Sequence, residues 1–239
     1  MGNKQSSLTG RDLSSGGMTS LLRGCVRAAA VAWKRANDRW LNIDTLTVPA
    51  MPVAASGSLT SALGDNFAFS SVDYWDVRRI VSRVQLAPEE VVYEIGAGLG
   101  RVVCLFGRQK IRKVVAVELN PILAERIRKN AQSLRGRRCP VEVTCADAAT
   151  ATLEEGTLFF FFNPFGADTL SAVLSNIKRS IDSRPRAIRL IYVNPQPEHA
   201  ALFAGQPWLS DAGRMRTLHG LEVRLFRADP QFSKVAAQQ

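Results

Sequence analysis

Between residues 91 and 193, short apolar runs alternate with stretches of helical periodicity. VVYEI (91–95), KVVAVEL (113–119), VEVTCA (141–146), TLFFFF (157–162) and AIRLIYV (187–193) are apolar at most positions. Strands buried on both faces carry that pattern. Pro121 to Leu134 and Asp168 to Ile181 have helix-spaced apolar positions and supply covering helices. The predicted fold class is α/β, with a doubly wound, mostly parallel sheet. After Trp208, RMRTL (214–218) and LEVRLF (221–226) flank His219-Gly220. A two-residue connection fits a tight turn, so the sheet is expected to end in a C-terminal antiparallel hairpin.

The N-terminal quarter reads differently. Residues 1–18 are polar and rich in Gly and Ser, and are expected to form a disordered tail. From Thr19 to Leu41, the residues Leu22, Val26, Ala29, Trp33 and Trp40 fall near helical spacing, with Arg23, Arg27, Lys34 and Asp38 on an adjoining face. This predicts a basic amphipathic helix. Its tryptophan stripe suits packing on the main domain; a membrane-surface or partner-binding role is the alternative. Two prolines and small residues at 48–60 predict a linker. The expected organisation is a tail (1–18), a helix with linker (19–60), a main domain (61–230) and a short tail (231–239).

Charge and composition narrow the class. The net charge of +10 favours an acidic partner such as nucleic acid, an anionic membrane surface or an acidic protein, without naming one. No uncharged apolar run reaches the roughly 18–20 residues that span a bilayer. The four cysteines show no CxxC pairing and there are two histidines, which disfavours a disulfide framework or a structural zinc site. Cys104 and Cys145 read as small buried thiols. A reducing, cytoplasmic setting is expected, with peripheral membrane association as an alternative through the basic helix. The opening MGNKQS also matches the pattern for myristoylation at Gly2, which requires a eukaryotic host.

Candidate chemistry concentrates at the strand ends. Directly after VVYEI comes Gly96-Ala97-Gly98-Leu99-Gly100, with Glu94 ahead of the first glycine. A dinucleotide fingerprint needs G-x-G-x-x-G and a phosphate loop needs G-K-[ST]; neither is present. Glu94 would repel a pyrophosphate but suits a cation or a hydroxyl. Glu118 ends the second strand, where an acid can accept hydrogen bonds from both ribose hydroxyls. Asp147 ends the third and suits an adenine amino group, while the Ala148 N–H suits a ring nitrogen. Asn163-Pro164-Phe165-Gly166 ends the fourth. Open α/β sheets place their ligand crevice at these carboxyl ends. An adenosine-bearing ligand with positive charge and no phosphate fits best, and S-adenosylmethionine (AdoMet) has that chemistry.

Residues 91–166, together with the hairpin after 214, resemble the class I (Rossmann-like, seven-stranded) AdoMet-dependent methyltransferases, and the likeness extends over about 60–230. The resemblance implies a seven-stranded sheet with an antiparallel last strand. It implies that Gly96, Gly98 and Gly100 line the methionine and ribose side of the cofactor. Glu94 would orient the methionine amino group, Glu118 the ribose and Asp147 the adenine. A nicotinamide oxidoreductase and a non-catalytic binding module are the competing readings.

The acceptor is less legible. Enzymes of this class that methylate nitrogen carry [DNS]-P-P-[YFW] at the fourth strand end, and N-P-F-G is one proline short. With IYVNP (191–195), the motif looks closer to non-SET protein-lysine methyltransferases. On that reading Asn163, with Pro164 and Phe165, positions the amine. Phe165, Tyr192, Phe69 and Tyr74 are candidates for an aromatic wall around it. For Phe67, Phe69 and Tyr74 a core role is the simpler reading, and for Tyr192 and Asn194 a strand end with a local turn. A protein amine is therefore the expected acceptor, with a small molecule or a nucleic acid as the alternatives.

Overall fold

The computed structural model describes residues 15–49 and 71–230, with side chains from residue 24 onward. The expected tails at 1–14 and 231–239, the Gly2 pattern, most of the proposed linker, Phe67 and Phe69 lie outside these residues.

Five strands form where the apolar runs predict them: β1 (Val91–Ile95), β2 (Lys113–Glu118), β3 (Val141–Cys145), β4 (Leu158–Phe162) and β5 (Ile188–Val193). Two more, β6 (Ser210–Arg216) and β7 (Glu222–Ala228), complete a seven-stranded sheet of order β3-β2-β1-β4-β5-β7-β6. The first five are parallel, and β7 runs antiparallel to both β5 and β6. The hairpin connection is longer than a two-residue turn. It spans residues 217–221, with the Thr217 N–H donating to Leu221 O and Gly220 at φ +82°.

Side chains alternate between two apolar layers, as period-2 geometry requires. Val92, Val114, Phe160 and Ile191 pack on one face, and Tyr93, Val115, Phe159, Phe161 and Tyr192 on the other. Helices α2 (Tyr74–Val84), α3 (Arg101–Phe106) and α4 (Pro121–Ser133) cover the first face, while α5 (Ala167–Ser183) and α6 (Pro197–Ala204) cover the second. Asn120 caps α4, its Oδ1 accepting the Ile122 N–H at 2.9 Å ahead of a first-turn proline.

Helix α1 (Ser15–Leu41) begins earlier than the apolar pattern predicts, so residues 15–18 are helical rather than part of a tail. Among its described side chains, those of the last turns join the main body, Leu41 in the apolar core and the rest through polar contacts. Asp38, 6% exposed, accepts the Tyr74 hydroxyl and the Thr45 N–H (2.7 Å). Beyond the helix, Asn130 on α4 accepts the Asp44 N–H through Oδ1 (2.8 Å) and donates to Asp44 O (2.9 Å). The stretch 42–45 is thereby laced to the sheet domain rather than hung from it. The tryptophan stripe is not buried: Trp33 stacks on Trp75, but Trp33 and Trp40 remain 39% and 50% exposed.

Candidate functional site

The first parallel strand ends in a tight loop that only glycines can follow. Gly96, Gly98 and Gly100 have φ of +74°, +58° and +79°, the left-handed region that L side chains avoid. Space is limiting too, since a Cβ at Gly96 would lie 2.4 Å from Pro164 Cβ. Absence of a side chain therefore lets the glycine loop meet the β4 end. The Gly96 and Ala97 N–H groups both donate to Val117 O on β2.

Glu118 closes this arrangement. Its Oε2 accepts the Gly98 N–H at 2.7 Å and its Oε1 the Asn120 N–H at 2.9 Å. Burial raises its pKa, while the hydrogen bonds from the Asn120 and Gly98 N–H groups lower it. A loop N–H that could cradle a phosphate thus serves a carboxylate instead. The loop's one cation is also turned away. Arg101, 3% exposed, donates from Nε to Thr45 Oγ1 (3.0 Å), from Nη1 to Val72 O (3.1 Å) and from Nη2 to Thr45 O (3.3 Å), and lies over the Tyr74 ring.

Glu94, 5% exposed, sits one residue before the end of β1. Burial pushes its carboxyl well above the usual range, the Val103 N–H hydrogen bond pulls the other way, and the Glu118 charge adds to the rise. Its Oε2 is buried without a hydrogen-bond partner. Asn163, past β4, is another such case: its Oδ1 is buried and unpartnered, and its backbone holds φ +40°. Orphaned buried polar atoms and left-handed non-glycine backbone concentrate where a ligand is to be met. Asp147 is exposed past β3, its Oδ1 accepting the Ala149 N–H at 2.9 Å. Ala148 is buried, and its carbonyl accepts from Asn176 Nδ2 at 3.2 Å.

The structure thus gathers Glu94, Gly96, Gly98, Gly100, Glu118, Asn163 and Pro164 at the carboxyl ends of three adjacent strands, with Asp147 and Ala148 after the fourth, β3. The aromatic residues do not join them. Phe165 is 2% exposed and set edge-on against Phe161. Tyr192 is fully buried, stacks on Phe161 and shares a 2.9 Å hydrogen bond with His199 Nδ1. Tyr74 is buried in the Asp38 cluster. The expected wall is therefore not assembled from these three residues, because each ring is held in the apolar layers or in a polar cluster of the core. Asn194 ends β5 at φ +55°, its N–H bonded to Glu222 O, as a strand-end turn. Cys104 is buried as expected, but Cys145 is exposed, at the end of the edge strand β3. Sequence reading missed Arg101 and Asn130. Asn130 Nδ2 also donates to Leu99 O at 3.0 Å, fixing the glycine loop from α4; neither residue carries a local signal.

Residues 62–158 match the family model described as ribosomal RNA adenine dimethylase, a span that ends ahead of Asn163. The ribosomal RNA small subunit methyltransferase A of Kineococcus radiotolerans is 42% identical over 90 residues, covering 37% of this chain and 28% of that protein. The probable ribosomal RNA small subunit methyltransferase A of Methanosarcina barkeri is 27% identical over 150 residues, covering 60% and 46%. The chain thus spans less than half the length of these curated relatives. Among solved structures, an RNA methyltransferase from Salinibacter ruber in complex with S-adenosyl-L-homocysteine superposes with a TM-score of 0.52 at 19% identity, over 67% of this chain and 94% of that one. That likeness is one of fold. The seven-stranded fold is that of the class I, Rossmann-like AdoMet-dependent methyltransferases, and the family match takes in the glycine loop and the strands β1 to β3.

Proposed function

We propose that the chain transfers the methyl group of AdoMet to a nitrogen of an RNA acceptor. The observation that carries the cofactor assignment is the acidic lip of the glycine loop. Glu118 occupies the Gly98 N–H, Glu94 leaves a buried oxygen open, and Arg101 is spent on Thr45 and Val72. That set repels a pyrophosphate and suits a ligand with an ammonium, a sulfonium and ribose hydroxyls.

In this reading Glu118 retains lone pairs for the ribose hydroxyls, since a carboxylate accepts about four hydrogen bonds. Glu94 Oε2 receives the ammonium, Asp147 and the Ala148 N–H receive the adenine, and the three glycines let the backbone approach the ligand. AdoMet supplies the activated methyl group, so the protein's task is alignment. Asn163 Oδ1 accepts an N–H of the acceptor and aims its lone pair, with Pro164 and the Phe165 backbone completing the strand end.

The acceptor class is supported by the RNA substrates in the names of the family model and of the relatives, and by the net charge of +10. A lysine acceptor has lost three of the four residues of its aromatic wall to the core. It stays as the second reading because the matched span stops short of Asn163. The test offers methyl-labelled AdoMet to total RNA and to ribonuclease-treated protein extract. Label in RNA, removed by ribonuclease and reduced by Asn163→Ala, is the expected result. Label confined to protein would replace RNA with the amine reading.

A further inference from the structure

The outer surface of α1 and α2 carries an aromatic and basic patch with no role in the site above. The chain has four tryptophans, and only Trp208 is buried. Trp33 and Trp75 stack with centroids 5.4 Å apart and planes 4° from parallel, yet remain 39% and 48% exposed. Trp40, two turns along α1 from Trp33, is half exposed and lies under the Arg108 guanidinium at 4.5 Å. Three indoles left in water forgo a large apolar burial, so this patch is where the fold leaves recognition surface open.

The cations between the indoles are fixed but not neutralised. Arg78 Nη2 donates to Asn37 Oδ1 at 2.9 Å, and its guanidinium sits 5.7 Å from the Trp75 ring centre. Arg108 feels the charges of Arg78 and Arg138, and its buried Nε has no acceptor. Among the described residues, none of the three arginines forms an ion pair with a carboxylate. Flat rings beside uncompensated guanidinium groups suit a chain of bases and phosphates. A bilayer would require a continuous apolar stripe, and here Asn37, Arg78 and Arg108 interrupt it.

One end of the patch lies at the same edge of the sheet as the crevice. Asp76, next to Trp75, accepts the Leu218 N–H at 2.9 Å in the β6–β7 connection. Both β5 and β6 run opposite to β7, so this connection lies at the carboxyl end of the parallel strands. We propose that this tryptophan–arginine surface binds a single-stranded RNA segment, with bases against the Trp33–Trp75 stack and phosphates against Arg78, Arg108 and Arg138. The choice of RNA rests on the acceptor reading above, but the binding is measured without methyl transfer.

The test is fluorescence anisotropy of a labelled oligouridylate of about twelve nucleotides, within single-strand site sizes, titrated with the full chain. Trp33→Ala/Trp75→Ala should weaken binding about tenfold or more. Arg108→Gln/Arg138→Gln should flatten the slope of log affinity against log salt by about 1.4, roughly 0.7 per phosphate contact. Unchanged AdoMet titration and thermal melting establish that both variants fold. Equal RNA binding by wild type and folded variants overturns the proposal. So does binding of phosphatidylserine vesicles in place of RNA. Loss of RNA binding in the variants, with methyl label found only in protein, supports the surface while refuting the acceptor reading. Methylated RNA with unaffected binding does the reverse.

Discussion

Glu118 Oε2 accepts a 2.7 Å hydrogen bond from the Gly98 N–H, joining the end of β2 to the middle of the glycine loop. The bond shapes the site and sets its charge at once. It also means that changes to the loop act through packing and through ligand chemistry, which different substitutions separate.

Gly96 and Gly220 form one such comparison. Both have positive φ, +74° and +82°. A Cβ at Gly220 meets nothing within 4 Å, whereas at Gly96 it overlaps Pro164. Gly220→Ala should therefore cost only the left-handed backbone penalty, about 1–2 kcal/mol. Gly96→Ala should cost more and should abolish AdoMet binding as the loop and the β4 end separate. Urea denaturation and calorimetry on the two variants check this.

Glu94 carries a pH dependence whose sign follows from its raised pKa. A carboxyl with a higher pKa folded than unfolded binds more protons in the folded state. It therefore destabilises the protein as pH rises from the unfolded pKa, near 4.5, through the folded value. Glu94→Gln should raise the melting temperature at neutral pH and leave it little changed well below pH 4. A cationic ligand favours the ionised form, so wild-type affinity for AdoMet should rise with pH, while that of Glu94→Gln stays flat and weaker. Melting and titration across pH 5–8 measure both effects.

Arg101 holds residues 45 and 72, which are far apart in sequence, against α3. A lysine cannot reproduce its forked donors. Arg101→Lys should leave buried carbonyls without partners and cost about 2 kcal/mol or more. Chemical denaturation should show the loss, and hydrogen exchange should show faster opening at Thr45 than in the sheet.

These features differ in how far the sequence revealed them. Strands β1, β2, β4 and β5 were legible because runs buried on both faces are largely apolar, and VVYEI forms β1 residue for residue, whereas β3 is an edge strand with Glu142 and Cys145 exposed. The same property hid which face each aromatic takes. Tyr192 and Phe165 stand at strand ends next to the crevice in sequence, but alternation sends Tyr192 into the layer with Phe161 and Phe203. The docking of α1 was illegible for a different reason. Among its described residues, those buried are Asn37, Asp38 and Leu41, and the polar pair is stabilised by Arg78, Thr45 and Tyr74, whose proximity no local pattern records. Val26, on the expected apolar stripe, is instead 68% exposed.

The most direct test of the AdoMet site is calorimetric titration of AdoMet into the wild-type chain and into Glu118→Ala. Removing the carboxylate takes away the ribose acceptor and frees the Gly98 N–H. Micromolar binding by the wild type, weakened about a hundredfold or more in a folded Glu118→Ala protein, is the expected result; two charge-assisted hydrogen bonds at about 1.5–3 kcal/mol each account for that scale. Equal affinity in the two proteins, or no binding by the folded wild type, would contradict the assignment.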